Sequence, residues 1–177
     1  GSGGREHAFA WKVSQSPLLS SLFFAPGNPG TASLGTNLPV GVADLEGIVR
    51  VIRENQIELV VVGPEEPLVK GVRDFIESHD DLKHVGIVGP GAAGAQLEGS
   101  KDFSKKFMHT YGVPTAASET FTKDSLEAGL AYLEKQSLPI VLKADGLAAG
   151  KGVIIAQTLS EAQIALKEML LDSKFGA

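Results

Sequence analysis

Cysteine is absent from the 177 residues. A disulfide framework and thiolate chemistry are therefore excluded, and the lack fits a reducing compartment. An excess of positive charge is absent as well. Sixteen Lys and Arg stand against 21 Asp and Glu, for a formal net charge of -5, so there is no electrostatic case for a nucleic-acid partner. No apolar run approaches the roughly 20 residues that a membrane-spanning helix needs, so no membrane partner is expected. The first residues carry neither the basic head nor the apolar stretch of a secretory leader, and a cytoplasmic protein is expected. Internal repeats and low-complexity tracts are also missing. What is present is globular in character. Hydrophobic residues make up 43%, and the length allows a packed core in one domain or two small ones.

The most informative stretch runs from Ile140 to Ile155: Ile-Val-Leu-Lys-Ala-Asp-Gly-Leu-Ala-Ala-Gly-Lys-Gly-Val-Ile-Ile. A hydrophobic strand ends in Lys143, a loop of small residues follows, then Lys151, then a second hydrophobic strand. Gly and Ala leave backbone N–H groups uncovered, so a phosphate can approach them closely. The two lysines place positive charge beside those amides. This is chemistry for a nucleoside triphosphate. A P-loop is excluded on two counts. It needs Ser or Thr after its lysine, where Gly152 stands, and it opens a helix. Here Val153-Ile154-Ile155-Ala156 reads as strand. A strand–glycine loop–strand hairpin over phosphates instead resembles the lid of an ATP-grasp enzyme. An ordinary hairpin with a glycine loop is the plain alternative.

The rest of the chain alternates helix and strand signals. Gly1 to Gly4 form a turn, and a helix is expected over Glu6–Ser14. Leu22–Ala25 reads as a short strand ending in the turn cluster Pro26-Gly27-Asn28-Pro29-Gly30. Asp44 caps a helix with Leu45, Ile48, Val49 and Ile52 on one face. Ile57–Val62 is continuously apolar apart from Glu58, the kind of strand buried on both faces of a parallel sheet. Val69, Val72, Phe75 and Ile76 mark one further helix. Val85–Val88 is another strand, closed by Gly89-Pro90-Gly91. This alternation predicts an α/β fold with a doubly wound parallel sheet. The character changes near residues 98–100. Ser100 caps a helix whose Phe103, Phe107 and Tyr111 are most simply core, and Gly112 stops it. Thr120–Thr122 suggests a short strand, and Leu126, Leu130 and Leu133 share a helical face. The last helix carries a capping box at Ser160 and Gln163 and a staple between Leu159 and Ile164.

Five motifs occur in one order: Gly1-Ser2-Gly3-Gly4-Arg5-Glu6-His7-Ala8, Pro26-Gly27-Asn28, Gly63-Pro64-Glu65, Leu97-Glu98-Gly99-Ser100-Lys101 and the Lys143–Gly152 loop. Together they resemble the glycinamide ribonucleotide synthetases, also called phosphoribosylamine–glycine ligases. These are ATP-grasp ligases of purine biosynthesis. The resemblance covers essentially the whole chain and implies an N-terminal α/β substrate domain (pre-ATP-grasp) over 1–98. It further implies the start of an ATP-grasp domain over 99–122 and an α+β lid over 123–177. Family members are more than twice as long, so these residues match their N-terminal part, without a first strand before Gly1 and without a C-terminal half. The implied reaction joins glycine to 5-phosphoribosylamine, with ATP and magnesium, through a glycyl phosphate. ATP would meet Lys101, Lys143, Gly146, Gly150, Lys151 and Gly152. The sugar-phosphate substrate would meet Gly3, Gly4, Arg5, Glu6, Asn28, Pro64 and Glu65. The family's magnesium ligands lie beyond the position matching Ala177, so no metal ligand and no catalytic residue is assigned. These residues alone are expected to be inactive, and Val153, Ile155, Ile164 and Leu166 to lack part of their cover.

The residues support these roles independently. Gly3, Gly4 and Arg5 at a helix start offer amides, a dipole and a guanidinium, although a plain helix-opening turn reads the same way. Glu65 follows a buried strand at the carboxyl edge where α/β sheets bind ligands, and could accept ribose hydroxyls. Glu66 reads equally well as a solvated turn residue. Lys101 in the first turn of a helix is electrostatically out of place, which favours a phosphate role. His7 reads as helix packing. The loop Asp145–Lys151 lacks side-chain anchors at Gly146, Ala148, Ala149 and Gly150, so its ordering is expected to depend on nucleotide. Two other classes compete with this reading. A nicotinamide-dependent oxidoreductase would need a third glycine where Glu6 stands. A nucleotide-binding module without catalysis remains open.

Overall fold

The computed structural model describes residues 1–147 and 152–171. It divides into two compact units, Gly1–Gln96 and Leu97–Ala177.

The first unit runs α1 (Gly4–Val13), β1 (Phe23–Phe24), β2 (Thr36–Asn37), α2 (Leu45–Glu54), β3 (Leu59–Val61), α3 (Glu65–Val69), α4 (Val72–Glu77) and β4 (Gly86–Val88). It then enters α5 (Ala92–Gly99). Strands joined through helices pair in parallel, as the α/β pattern requires. Phe23 and Phe24 of β1 pair with Thr36 and Asn37 of β2. Leu59, Val60 and Val61 of β3 pair with Gly86, Ile87 and Val88 of β4. The two pairs are separate sheets. Residues of β1 and β3 line one cavity of about 640 Å³, whose walls include Phe9, Ala10, Leu22, Ile52, Val60 and Val62.

The core of this unit follows from α2. Asp44 accepts a hydrogen bond from the Gly47 amide at 2.9 Å, capping the helix as its sequence signals. Val49 and Ile52 then point inward against Val72 and Ile76 of α4, with Leu82 and Val85. Burying each such side chain contributes roughly 1.5–3 kcal/mol.

Two expectations fail in this unit, and one helix arises without a sequence signal. The single helix over residues 69–76 is two, because Gly71 adopts φ 79° and breaks the chain between α3 and α4. The apolar strand at 57–62 is not buried on both faces: Leu59 and Val61 are 60% and 45% exposed, and Val60 turns to the core. Helix α5 gave no sequence signal, since Ala92, Ala93, Gly94 and Ala95 lack apolar periodicity. Its Ala92 amide donates to Asp74 Oδ2 at 2.6 Å, a cap from another helix.

The second unit holds α6 (Lys101–Thr110), α7 (Leu126–Leu133), β5 (Ile140–Lys143), β6 (Val153–Ala156) and α8 (Leu159–Leu171). Strand β6, not a helix, follows the glycine loop, and it pairs antiparallel with β5 from Ile140↔Ala156 to Lys143↔Val153. Alternation puts Ile140, Leu142 and Ala156 into a core with Leu133 of α7 and Ala162, Ala165 and Leu166 of α8. Of the apolar residues expected to lack cover, Val153, Ile155 and Ile164 are exposed, while Leu166 is buried.

Other expectations fail locally. Phe103, Phe107 and Tyr111 are all exposed rather than core, and Phe107 packs against Tyr111 at a tilt of 44° with ring centroids 4.6 Å apart. Helical spacing showed which residues share a face but not that anything covers it. No strand forms at Thr120–Thr122. Thr122 turns instead into a short 3-10 segment, with its amide on Ser125 Oγ at 2.8 Å. Helix α8 is capped by Thr158 and Glu161 rather than Ser160 and Gln163. Thr158 Oγ1 accepts from the Glu161 amide at 3.2 Å, and Glu161 Oε2 accepts from the Gln157 amide at 2.7 Å. Ile164, expected to staple onto Leu159, is 56% exposed.

Candidate functional site

In the first unit, three sequence motifs converge on the start of α1. Arg5 donates from Nη1 to the Gly63 carbonyl at 2.7 Å and from Nη2 to Glu65 Oε1 at 2.9 Å. Its fork thus joins the helix start to the loop after β3. Asn28 donates from Nδ2 to the Ser2 carbonyl at 3.0 Å, joining the turn after β1 to the same segment. Thr31, fully buried, fixes that turn: its amide donates to Asn28 Oδ1 at 3.0 Å, and its hydroxyl accepts from the Asn28 amide at 2.8 Å. Glu6 Oε2 accepts from the Gly3 amide at 2.7 Å. Gly4 opens α1, and Pro64 precedes α3 as its N-cap. All seven residues singled out in this unit (Gly3, Gly4, Arg5, Glu6, Asn28, Pro64 and Glu65) therefore belong to the three joined segments.

Glu65 is held below the ordinary carboxylate range, first by its own backbone amide and then by the Arg5 guanidinium, against a smaller effect of burial. The pair is half exposed. Its arrangement offers an anionic oxygen for hydroxyl groups beside a guanidinium, at the carboxyl end of β3.

In the second unit, the hairpin brings Lys143 to the end of β5, where its side chain is exposed and has no partner among the described residues. Ala144 donates to the Gly152 carbonyl at 2.8 Å, closing the mouth of the loop. Lys101 Nζ donates to the Gly146 carbonyl at 2.8 Å, so Lys101 meets the root of the loop at Gly146, while Lys143 and Gly152 stand at its two strand ends. Gly150 and Lys151 lie outside the described residues, as does most of the loop whose ordering was expected to depend on nucleotide. On the outward face of the hairpin, Val141, Val153 and Ile155 are exposed beside Lys143.

Asp145 is the residue that sequence reasoning missed. Its carboxylate accepts from Ser100 Oγ at 2.9 Å and from the Lys101 amide at 2.5 Å. Burial works against its charge. Hydrogen bonds from Ser100 and from the Lys101, Gly146 and Asp102 amides outweigh that effect and hold the carboxyl below its usual range. Ser100 carried a capping signal, but nothing in the sequence announced a second capping group 45 residues on. Among the described residues there is no cluster of three or more His, Asp or Glu that could hold a metal ion. None of the described helices is long and apolar enough to cross a membrane.

An α/β unit followed by a helix-backed hairpin with a lysine-flanked glycine loop defines the ATP-grasp class. Comparison places the chain within it: the chain belongs to the phosphoribosylglycinamide synthetase family. The family's N domain matches residues 1–98 and its ATP-grasp (A) domain residues 99–177. The chain is 51% identical to a phosphoribosylamine–glycine ligase of Escherichia coli K12 and 52% identical to one of Pasteurella multocida. Each match covers 99% of this chain but only 40% of the relative, so the chain spans well under half the length of these curated relatives. A crystal structure of phosphoribosylamine–glycine ligase from Thermotoga maritima superposes with a TM-score of 0.75 at 34% identity, over 99% of this chain and 39% of that one. The biotin carboxylase domain of a 2-oxoglutarate carboxylase from Hydrogenobacter thermophilus, solved with MgADP, ADP and bicarbonate, matches with a TM-score of 0.58. At 21% identity over 82% of this chain and 33% of that one, it shows a shared fold alone.

Proposed function

We propose that this chain supplies the sugar-phosphate and nucleotide contacts of an ATP-dependent ligase that joins glycine to 5-phosphoribosylamine. In this reading residues 1–98 form the substrate domain, 99–122 begin the ATP-grasp domain and 123–177 form its lid. The observation that carries it is the β5–β6 hairpin with Lys143 at its edge and Lys101 on the Gly146 carbonyl. Two cations at the root of a glycine loop suit the phosphates of ATP. The apolar face of Val141, Val153 and Ile155 beside them suits a flat base.

A carboxylate is a poor electrophile until it carries a good leaving group. An oxygen of the glycine carboxylate attacks the γ-phosphorus of ATP, the bond to the β-phosphate oxygen breaks, and ADP leaves. The amine of phosphoribosylamine then attacks the carbonyl carbon of the acyl phosphate. Inorganic phosphate departs, the amine proton is lost, and an amide results. The task of Lys101 and Lys143 is to hold and neutralise the phosphates, and that of Arg5 and Asn28 to seat the sugar phosphate. Glu65 accepts ribose hydroxyls. Magnesium would screen the charge of the phosphates in this reaction, and among the described residues no cluster of three or more His, Asp or Glu could hold it. A cytoplasmic setting goes with this chemistry.

The test is to supply the full-length gene product with ATP, magnesium, glycine and phosphoribosylamine, and to follow ADP and glycinamide ribonucleotide. ADP formation that requires glycine, with product formation that requires both substrates, is the expected result. ADP release indifferent to glycine would overturn the assignment. A second reading, for residues 1–177 taken alone, is that they bind nucleotide without turnover. Turnover by those residues alone would refute it.

A further inference from the structure

One carboxylate ties the root of the glycine loop to a helix 44 residues away in sequence. Asp145 Oδ2 accepts from Ser100 Oγ, and Oδ1 accepts from the Lys101 amide and, at 3.4 Å, from the Asp102 amide. Ser100 Oγ in turn accepts from the Phe103 amide at 3.1 Å. The first turn of α6 thus has its orphan amides met by two groups, only one of them from its own sequence. This resolves the electrostatic conflict at Lys101. A cation in a first turn is disfavoured, and a carboxylate at the same point offsets it.

The lysine is also held at its other end. Gly146 adopts φ 84°, a conformation open to glycine at little cost, and its carbonyl accepts from Lys101 Nζ. Lys101 is therefore attached to the loop root through both its amide and its ammonium. Lys143 stands two residues before Asp145 in the chain. A carboxylate near a phosphate site is ordinarily repulsive, but both oxygens of this one are turned onto donors.

We propose that Asp145 is a positioning residue that sets the Lys101 ammonium in place relative to Lys143, so that the two cations meet one phosphate chain as a preformed pair. The proposal rests on the reading of this hairpin as the nucleotide site. It is distinct from a simple helix cap, which would contribute stability and nothing else.

A double-mutant cycle on the full-length gene product separates these roles. Asp145→Ala should raise the Michaelis constant for ATP about tenfold or more, because displacing a positioned charge by a fraction of its reach removes much of its effect. Asp145→Asn keeps the shape and one acceptor, and should fall between. Lys101→Met should raise the same constant. In the Lys101→Met background, Asp145→Ala should add almost nothing to that constant while still lowering the melting temperature. Multiplicative effects on the constant in the double variant would overturn the proposal. So would an Asp145→Ala protein that melts lower yet uses ATP normally. An unchanged constant in Lys101→Met alone would instead strike at the nucleotide assignment, and the proposal would fall with it.

Discussion

Arg5 and Lys143 face opposite circumstances, and substitutions should separate them. Arg5 is engaged with Glu65 and the Gly63 carbonyl, whereas Lys143 has no partner among the described residues. Lys143→Ala should therefore weaken ATP use with little change in melting temperature. Arg5→Ala should chiefly impair use of phosphoribosylamine. A charge-assisted contact to phosphate contributes about 1.5–3 kcal/mol, which corresponds to a change of roughly tenfold or more in the relevant Michaelis constant. If Arg5→Ala altered the constant for ATP and spared that for phosphoribosylamine, the assignment of the first unit would be wrong. The Arg5–Glu65 pair also carries a pH signature. Glu65 has its folded-state value lowered from 4.5, so its contribution is present above that value and is lost as pH falls through the lower, folded one. Both side chains are about half exposed, which limits the pair to about 0–1 kcal/mol. The stability gap between wild type and Glu65→Gln should be small at pH 7 and close further below pH 4.5; a gap that widens in acid would contradict the pairing.

Among the elements, the break between α3 and α4 makes the sharpest prediction. At Gly71 an added Cβ would have ordinary room, 3.6 Å from Ala92 Cβ, so only its φ of 79° opposes a side chain. Gly71→Ala should cost about 1–2 kcal/mol in chemical denaturation, and Gly71→Asn less, because Asn tolerates the left-handed region. Equal stability of Gly71→Ala and wild type would mean that the two short helices are one in solution. The same position shows where sequence reading stops. Apolar spacing from Val69 to Ile76 marks a helical face, but a glycine within it reads alike whether the helix continues or breaks. The β5–β6 hairpin was legible because its information is local: two β-branched runs, a connecting glycine loop, and pairing between neighbours in the chain. The cap at Asp44 was legible for the same reason. The Asp145 cap on α6, the Asp74 cap on α5 and the exposure of Phe103 and Tyr111 depend on what packs nearby, and no short window contains that. In the candidate site, the motifs singled out the residues, while the Arg5–Glu65 bond across 60 positions could only be seen in the fold.

At the scale of the whole molecule, charge and apolar surface pull in opposite directions. Residues Leu59 and Val61 of β3 and Val88 of β4 share one face of a parallel pair, and all three are exposed. Contiguous exposed apolar residues drive association, and among the described residues strand β3 pairs with β4 alone, which leaves an edge able to template another strand. Against this stands a net charge of -5, whose self-repulsion falls as salt shortens the screening length to roughly 10 Å at 0.1 M. Residues 1–177 prepared alone should therefore self-associate more readily as salt rises, the reverse of an association held by ion pairs. Sedimentation velocity across a salt series measures this directly. Replacing Leu59 and Val88 together by Thr should shift the onset to higher protein concentration at every salt, with little loss of stability, since both side chains are more than half exposed. Association that weakens with salt would place its cause in charge pairing. Association untouched by the double substitution would place it on another surface, with the outward face of the β5–β6 hairpin, Val141, Val153 and Ile155, the next to test by the same measurement.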